Sequence, residues 1–148
     1  NWGVAPGDDG RFIEPGHQFE WAWLMERWGR LRRDPVGHAA AVRLFEAGLR
    51  GICPDRGIAV NSISLDGSVL DGNARLWPQT EYLKASLILG ETAHALKACA
   101  ALARYLDVPA AGAWRDVMRP DGGFIEEPAP ASSFYHIMCA VLELRRLA

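Results

Sequence analysis

The sequence predicts an all-α protein, built as an array of antiparallel helix pairs with short β-hairpins in the loops at one rim. Successive stretches repeat their apolar residues at intervals of three and four, which is the spacing of an amphipathic helix. Short links join these stretches, as in α/α hairpins. The segments with an alternating pattern are too few and too short to form a sheet core.

The helical stretches follow one another along most of the chain. In the first, Phe19, Trp23, Trp28 and Leu31 share an amphipathic pattern. The second ends at Gly51, a residue type that often follows a helix C-terminus. We predict helices over about 16–33, 36–51, 78–89, 91–106, 110–117 and 132–147.

Two loops between the helices carry turn signals. Residues 57–70 alternate apolar and polar side chains around Asp66-Gly67, which predicts a short hairpin. A second turn is predicted at residues 121–123, Asp-Gly-Gly, before the last helix. Loops of this kind on one rim of a helical scaffold are where a functional site is built.

Composition excludes several classes of function. With 148 residues and 49% apolar content the chain can form one domain with a core, and its net charge of −2 favours neither nucleic acid nor an anionic membrane. No apolar run approaches the roughly 18 residues of a membrane span. Three scattered cysteines without a CxxC motif predict reduced thiols in the cytoplasm. No HExxH or similar cluster appears, so we expect no metal.

Two histidines share one unusual setting. His17 and His136 each follow a Glu-Pro loop, at residues 14–15 and 127–128, and each is predicted to lie in the first turn of a helical run. Proline and serine ahead of these runs are helix-start signals. The positive end of a helix dipole disfavours the imidazolium form, so both rings are expected to be neutral proton acceptors. The sequence thus predicts an acid/base pair that the fold brings together.

A third helix start belongs with these two, because Trp77-Pro78 again precede a run with an acidic residue near its start. If alternate helices run parallel, the three starts open on the same rim. The aromatic rings of Trp77 and Phe124 would supply flat faces to a sugar, and carboxylates would bind its hydroxyls. The polar residues expected to converge are His17, Glu20, Gln79, Glu81 and His136.

An ordinary structural role is the alternative interpretation of each of these candidate residues. A single histidine near a helix start is most often a cap or a surface group, and we expect His38 and His94 to be structural. Glu20, one turn after His17, either orients that imidazole or interacts with the helix dipole. Trp21, Trp23 and Trp28 are expected to pack between helices and not to contact a ligand.

Three segments of the chain resemble the signature motifs of the N-acylglucosamine 2-epimerase family. They are residues 14–24 (EPGHQFEWAWL), 76–81 (LWPQTE) and 131–136 (ASSFYH). The family includes N-acetylglucosamine 2-epimerase, also known as renin-binding protein, together with cellobiose 2-epimerase and mannose isomerases. The resemblance covers nearly the whole chain and implies an (α/α)6 toroid whose inner helices start around a sugar pocket.

The resemblance also implies roles for particular residues. His17 and His136 resemble the two catalytic histidines of the family. The residues that resemble substrate-binding positions are Glu20, Trp77, Glu81 and Phe124, the last in a place where some members carry tryptophan. Gln79 is expected to bind substrate from its place at the third helix start. No cofactor is implied.

The length of the chain departs from the family. Such a toroid needs roughly twice this length, so residues 1–148 resemble the C-terminal portion of a single toroid domain without its N-terminal half. We therefore expect a fragment, a homodimer with swapped parts, or a chain completed by the missing half.

The function predicted is that of a sugar isomerase or epimerase. One imidazole removes the hydrogen next to the carbonyl of an open-chain aldose, and the proton returns at carbon 2 or at carbon 1. We assign His136 as the carbon base and His17, held by Glu20, as its partner. Two alternatives remain: a glycoside hydrolase or lyase using Glu20 and Glu81, and a non-catalytic, renin-binding-like module.

Overall fold

A computed structural model describes residues 7–146, apart from the side chains of Asp8 and Asp9. In this part of the chain the α-helices occupy five of the six predicted stretches. They are α1 (Pro15–Arg32), α2 (Pro35–Leu49), α3 (Leu76–Leu89), α4 (Thr92–Leu106) and α5 (Ser132–Arg145). A short 3-10 turn, Gly7–Gly10, precedes them.

Local signals set where these helices begin and end. Pro15 and Pro35 are the first residues of α1 and α2, where the missing N–H removes no helical bond. The Asp34 carboxylate accepts a hydrogen bond from Val36 N at 2.9 Å and so caps α2. Gly90, at φ 78°, ends α3 in the left-handed conformation that glycine adopts freely.

The helices pack as two antiparallel pairs and one further helix. α2 packs along α1, α4 packs along α3, and α3 also packs against both α1 and α5. Helix α3 is therefore the centre of the structure, and almost every side chain from Leu76 to Ser86 is buried. None of the helices within residues 7–146 is long and apolar enough to cross a membrane.

Short strands lie in the loops that connect the helices. The strands are β1 (Phe12–Ile13), β2 (Ile52–Cys53), β3 (Ile58–Ala59), β4 (Ser62–Ser64), β5 (Val69–Asp71), β6 (Ala74–Arg75) and β7 (Val117–Met118). They pair antiparallel as β1-β4-β5, β2-β3 and β6-β7. The hairpin predicted around Asp66-Gly67 is confirmed as β4-β5, with Gly67 at φ 93°.

The helix predicted over 110–117 is wrong. The chain forms turns there, with Gly112 at φ 79°, and then enters β7, where Val117 pairs with Arg75. The stretch contains too few apolar residues at helical spacing to bury a face, whereas Val117 and Met118 are both buried as a strand.

Three smaller expectations also fail. Ala131, not a serine, precedes α5, and no side chain caps this helix. His136 consequently lies in the second turn of α5. Trp21 and Trp28 do not pack between the helices, because their side chains are 54% and 52% exposed on α1.

Candidate active site

The starts of α1, α3 and α5 meet at the indole of Trp77. Its ring centroid lies 5.0 Å from that of His17 and 5.6 Å from that of His136. The two imidazoles, 119 positions apart in the sequence, therefore lie no farther apart than those two distances combined. The three helix starts share one rim, as the sequence predicted.

Hydrogen bonds hold the start of α5 beside the start of α3. The buried Asp116 accepts a hydrogen bond from Ser133 Oγ at 2.9 Å through its side chain. Its backbone carbonyl accepts another from Leu76 N at 2.7 Å. One residue in the loop before β7 thus fixes the first turns of both helices, and with them the spacing of Trp77 and His136.

Each of the two imidazoles is bound to a carboxylate through Nδ1. The distance from His17 Nδ1 to Glu14 Oε2 is 2.7 Å, and that from His136 Nδ1 to Glu81 Oε1 is also 2.7 Å. An ionised carboxylate can only accept hydrogen bonds, so Nδ1 is the protonated nitrogen of each neutral ring. Nε2 is then left as the nitrogen that can take a proton from another molecule.

The partner of His17 is Glu14, whereas the sequence analysis assigned this role to Glu20. Glu14 precedes α1 by one residue, and its backbone carbonyl accepts the N–H of His17 at 3.1 Å. Its side chain therefore reaches the third helical residue at the outer edge of the first turn. Both groups face water, with side-chain exposures of 49% for His17 and 43% for Glu14.

Glu20 points to the other histidine. One ligand atom each from Glu20, Glu81 and His136 lie within 4.8 Å of one another, which is a spacing that could hold a metal ion. The second oxygen of Glu81, however, already lies 2.7 Å from Lys84 Nζ. Since an ammonium group this close repels a cation, the cluster is better suited to binding hydroxyl groups.

The partner of His136 is buried deep in the fold. The Glu81 side chain is 0% exposed and that of Lys84 is 1% exposed, one turn further along α3. Glu81 Oε2 has no aligned hydrogen-bond donor within the described residues, so its contact with Lys84 is an ion pair. The ammonium also lies 4.2 Å from the centroid of the Trp23 ring, a cation–π contact.

Tyr135 lies beside His136, with ring centroids 5.2 Å apart. A hydrogen bond with Cys139 raises the pKa of the Tyr135 hydroxyl, and the nearby carboxylates of Glu81 and Glu20 raise it further. The phenol is therefore a neutral hydrogen-bond donor at the edge of this cluster in neutral solution.

Two of the predicted substrate-binding residues are engaged elsewhere. The Gln79 carboxamide accepts from Ala59 N at 2.9 Å and donates to Ala59 O at 2.8 Å and Arg75 O at 2.9 Å. It fastens β3 to the start of α3. The ring of Phe124 packs edge-to-face on Tyr105 at 5.2 Å, with the Arg115 guanidinium 5.0 Å from its centroid.

A polar cavity of about 310 Å³ opens on the side of Trp77 nearest to Glu14. Arg75, Asp71 and Asn61 supply its polar wall. Asn61 Nδ2 donates to Asp71 Oδ2 at 2.8 Å, and this hydrogen bond, together with those from Asn73, lowers the pKa of Asp71 although its burial acts in the opposite direction. Glu14 and Trp77, the neighbours of His17, line this cavity although neither His17 nor His136 does, and it is large enough for part of a sugar.

Sequence reasoning missed three residues of this site. The sequence pattern predicts no role for Glu14, although its distance of three residues from His17 places it over the first helical turn. Lys84 follows Glu81 at the same distance and was read as part of an ordinary helix. Tyr135 adjoins His136 in the sequence, but nothing in the pattern indicated that its ring contacts the imidazole.

Solved structures place this architecture in the class of α/α toroid proteins. A D-mannose isomerase structure aligns with a TM-score of 0.81 at 22% identity and covers 92% of this chain and 37% of that chain. The cellobiose 2-epimerase from Spirochaeta thermophila DSM 6192 aligns with a TM-score of 0.68 at 21% identity, covering 91% and 37%. A sugar epimerase from a ruminal bacterium aligns with a TM-score of 0.67 at 17% identity, covering 90% and 38%.

The chain belongs to the N-acylglucosamine 2-epimerase (GlcNAc 2-epimerase) family, whose model matches residues 1–140. A relative in Rhizobium meliloti (strain 1021), named mannose-6-phosphate isomerase, is 50% identical over 97% of this chain. The alignment covers 40% of that relative, so the chain spans less than half of its length. The predicted fold class and family are both confirmed.

Proposed function

We propose that the protein is a sugar isomerase or epimerase that moves a proton next to the carbonyl of an open-chain aldose. One observation supports this above all others. Two imidazoles contact the same indole, and each has its Nδ1 held by a carboxylate and its Nε2 left to exchange a proton. An acid/base pair of this kind needs no further group to carry the proton.

In the proposed reaction His136 Nε2 removes the proton from carbon 2 of the aldose. The electron pair of that bond forms the carbon 1–carbon 2 double bond, while the carbonyl oxygen gains a proton from His17, which enters this step with Nε2 protonated, and the intermediate becomes an enediol. His136 then returns its proton to carbon 1, while the carbon 2 hydroxyl gives its proton to His17 and becomes a carbonyl, which yields the ketose. If His17 instead delivers its proton to the opposite face of carbon 2, the carbonyl at carbon 1 forms again and the product is the epimer.

The substrate we propose is mannose or its 6-phosphate, with aldose–ketose isomerisation as the reaction. The support comes from the relatives: one with 50% identity is named mannose-6-phosphate isomerase, and the structure with a TM-score of 0.81 is a D-mannose isomerase. Glu20 would bind a sugar hydroxyl near His136. Trp77 would separate the two imidazoles and form the wall of the pocket.

The hydrolase alternative fits the site less well. A glycosidase needs two carboxyl groups that face the bond to be cleaved. Glu81 faces no open space, because its two oxygens lie 2.7 Å from His136 Nδ1 and from Lys84 Nζ and its side chain is fully buried. Glu20 alone cannot supply both roles.

We further propose that this chain forms about half of a toroid, which the remaining length found in its relatives completes. Two apolar surfaces support this. Helix α1 exposes Trp21, Leu24, Trp28 and Leu31, which recur at helical spacing. Helix α5 has its own exposed apolar residues, namely Phe134, Met138, Val141, Leu142 and Leu144. Apolar surfaces of this kind are covered by other protein in stable assemblies. A second copy of the chain is the alternative to the missing half of the toroid.

A cytoplasmic location stays a prediction.

Proton NMR of the full-length protein in heavy water tests the proposal. Mannose, mannose 6-phosphate, N-acetylglucosamine and cellobiose are supplied in turn. We expect loss of the carbon 2 hydrogen signal and deuterium in the product for mannose or its phosphate. His136→Ala should slow this exchange at least about a hundredfold.

His38→Ala is the matched control. His38 also has its Nδ1 2.7 Å from a glutamate, Glu26, but it lies on α2 away from Trp77. Exchange at the parental rate is expected in this variant. Equal exchange by the His136→Ala and parental proteins would disprove the role of His136, and absence of exchange with every sugar would disprove the function.

A further inference from the structure

We propose that Lys84 is a positioning residue of this site, which offsets the charge of Glu81 and thereby keeps His136 in its proton-accepting form. This inference rests on the proposed function only for its kinetic readout. Lys84 contacts the histidine only through Glu81. Lys84 Nζ is 2.7 Å from Glu81 Oε2, and Glu81 Oε1 is 2.7 Å from His136 Nδ1.

The complete burial of Lys84 indicates that its charge has a specific role. Lysine is almost never fully buried, because removing an ammonium group from water is costly. Here the side chain is 1% exposed in the centre of the fold, on the helix that packs against α1, α4 and α5. Leucine or methionine at this position would fill the same core without that cost, so the charge itself is the property to be explained.

Electrostatics supplies the explanation. A carboxylate that accepts the Nδ1 proton of an imidazole favours the imidazolium form, which cannot act as a base. A buried carboxylate does so strongly because few water molecules screen it. Lys84 on the opposite oxygen of Glu81 offsets this effect. Glu81 can then orient the His136 ring, while its negative charge favours protonation of His136 Nε2 less strongly.

Other charged and polar groups surround the pair formed by Glu81 and His136. Glu20 on α1 adds a negative charge within 4.8 Å of both Glu81 and His136, which increases the need for a cation. Tyr135 on α5 is a neutral phenol beside the imidazole. The Trp23 ring, which contacts Lys84 Nζ at 4.2 Å, donates its indole N–H to Glu143 at 3.1 Å.

Substitutions of Lys84 in the full-length protein test the inference. Lys84→Gln removes the charge but retains a donor that can reach Glu81, whereas Lys84→Arg retains the charge. We expect the acidic limb of the pH profile of kcat/KM to move to higher pH in Lys84→Gln, so that the rate at pH 6 falls about tenfold while the plateau above pH 8 changes little. In Lys84→Arg the limb should return towards its parental position.

Arg30→Met is the matched control. Arg30 Nε lies 2.7 Å from Glu26, which also binds His38, so this variant removes a cation from another glutamate–histidine pair. Its pH profile should match that of the parent. A Lys84→Gln profile that superimposes on the parental one, in a protein that unfolds at a similar temperature, would overturn the inference and leave a purely structural lysine.

Nitrogen-15 NMR of the histidine rings gives a readout that needs no sugar. At pH 7 the parental His136 should show a protonated Nδ1 and a bare Nε2, and Lys84→Gln should show more of the doubly protonated ring. If the parental ring is doubly protonated at pH 7, the inference is wrong even where Lys84→Gln fails to fold. Failure of the proposed function, by contrast, would show as absent exchange with these ring signals as expected.

Discussion

The two histidines of the site have the same hydrogen bond but opposite surroundings. His17 and Glu14 lie at the outer edge of the first turn of α1, both about half exposed. His136 is 20% exposed, and its partner Glu81 is fully buried against Lys84. Water can replace a lost partner at the first pair, whereas at the second only the protein can. The buried pair therefore needs a cation of its own.

The two rings also differ in the charges and dipoles that act on them. A helix N-terminus disfavours imidazolium, and that effect applies near the start of α1. It is weaker for His136, which lies in the second turn of α5. There the carboxylate of Glu81 acts in the opposite direction, and Lys84 is the group that opposes it. The two imidazoles are thus held in two different electrostatic arrangements.

Removing each carboxylate in turn is the strongest test of the contrast. Glu81→Ala leaves a buried ammonium without its partner, which should lower the free energy of unfolding by about 3–5 kcal/mol. It also frees the His136 ring to rotate, so kcat should fall at least about tenfold. Chemical denaturation and deuterium exchange measure the two effects.

Glu14→Ala is the matched change at the exposed pair. We expect a loss of stability below about 1 kcal/mol, because surface ion pairs contribute little and water can solvate His17. If Glu14→Ala and Glu81→Ala cost the same stability, burial does not distinguish the two pairs and the contrast fails.

A glycine tests whether the spacing of the two imidazoles matters. Gly16 lies between Pro15 and His17, and a Cβ there would approach Trp77 Cη2 to 2.5 Å and Pro78 Cβ to 3.0 Å. Gly16→Ala should displace the indole that contacts both histidines. We expect kcat/KM to fall about tenfold or more, since small misplacements at a reacting centre are costly.

The loss of stability in Gly16→Ala should be about 1–3 kcal/mol, as for other overpacked sites. Gly72→Ala is the control, because the nearest atom to its Cβ is at 3.4 Å and its backbone is not left-handed. Unchanged kinetics in Gly16→Ala, measured with mannose beside Gly72→Ala, would show that the position of Trp77 does not set the rate.

The sequence allowed prediction of the helices and of the residues that start them. Proline in the first turns of α1 and α3, and the repeated motif around His17 and His136, were enough to place three helix starts on one rim. These signals depend only on neighbouring residues, so they can be recognised in the sequence before the fold is known. The wrong helix over 110–117 came from a segment whose β7 strand forms only by pairing with β6, 42 positions away.

The partners of the histidines could not be assigned in the same way. Glu20 and Glu14 lie at the same distance of three residues from His17, on opposite sides of it, and only the fold shows which one contacts the ring. Glu81 and His136 are 55 positions apart. The burial of Lys84 depends on how α1 and α5 pack around α3, which no periodicity in α3 itself reveals.

The smallest expected effect concerns the pair formed by Glu26 and His38. Burial alone would raise the pKa of Glu26, but hydrogen bonds from Arg30 and His38 outweigh it and lower the pKa below its usual value of 4.5. A lowered pKa in the folded state means that the ionised group stabilises the fold at neutral pH. That contribution is lost as the pH falls below the pKa of the unfolded chain.

Glu26→Gln should therefore unfold more easily than the parent at pH 7, by about 1 kcal/mol, and the difference should shrink towards pH 3. Urea denaturation across this range measures it, with the exposed Glu46→Gln on α2 as control. Catalysis by Glu26→Gln should be unchanged, because this glutamate–histidine pair contacts neither Trp77 nor the other two histidines discussed here. A parallel loss of stability at all pH values would mean that the carboxylate stabilises α1 by packing and not by its charge.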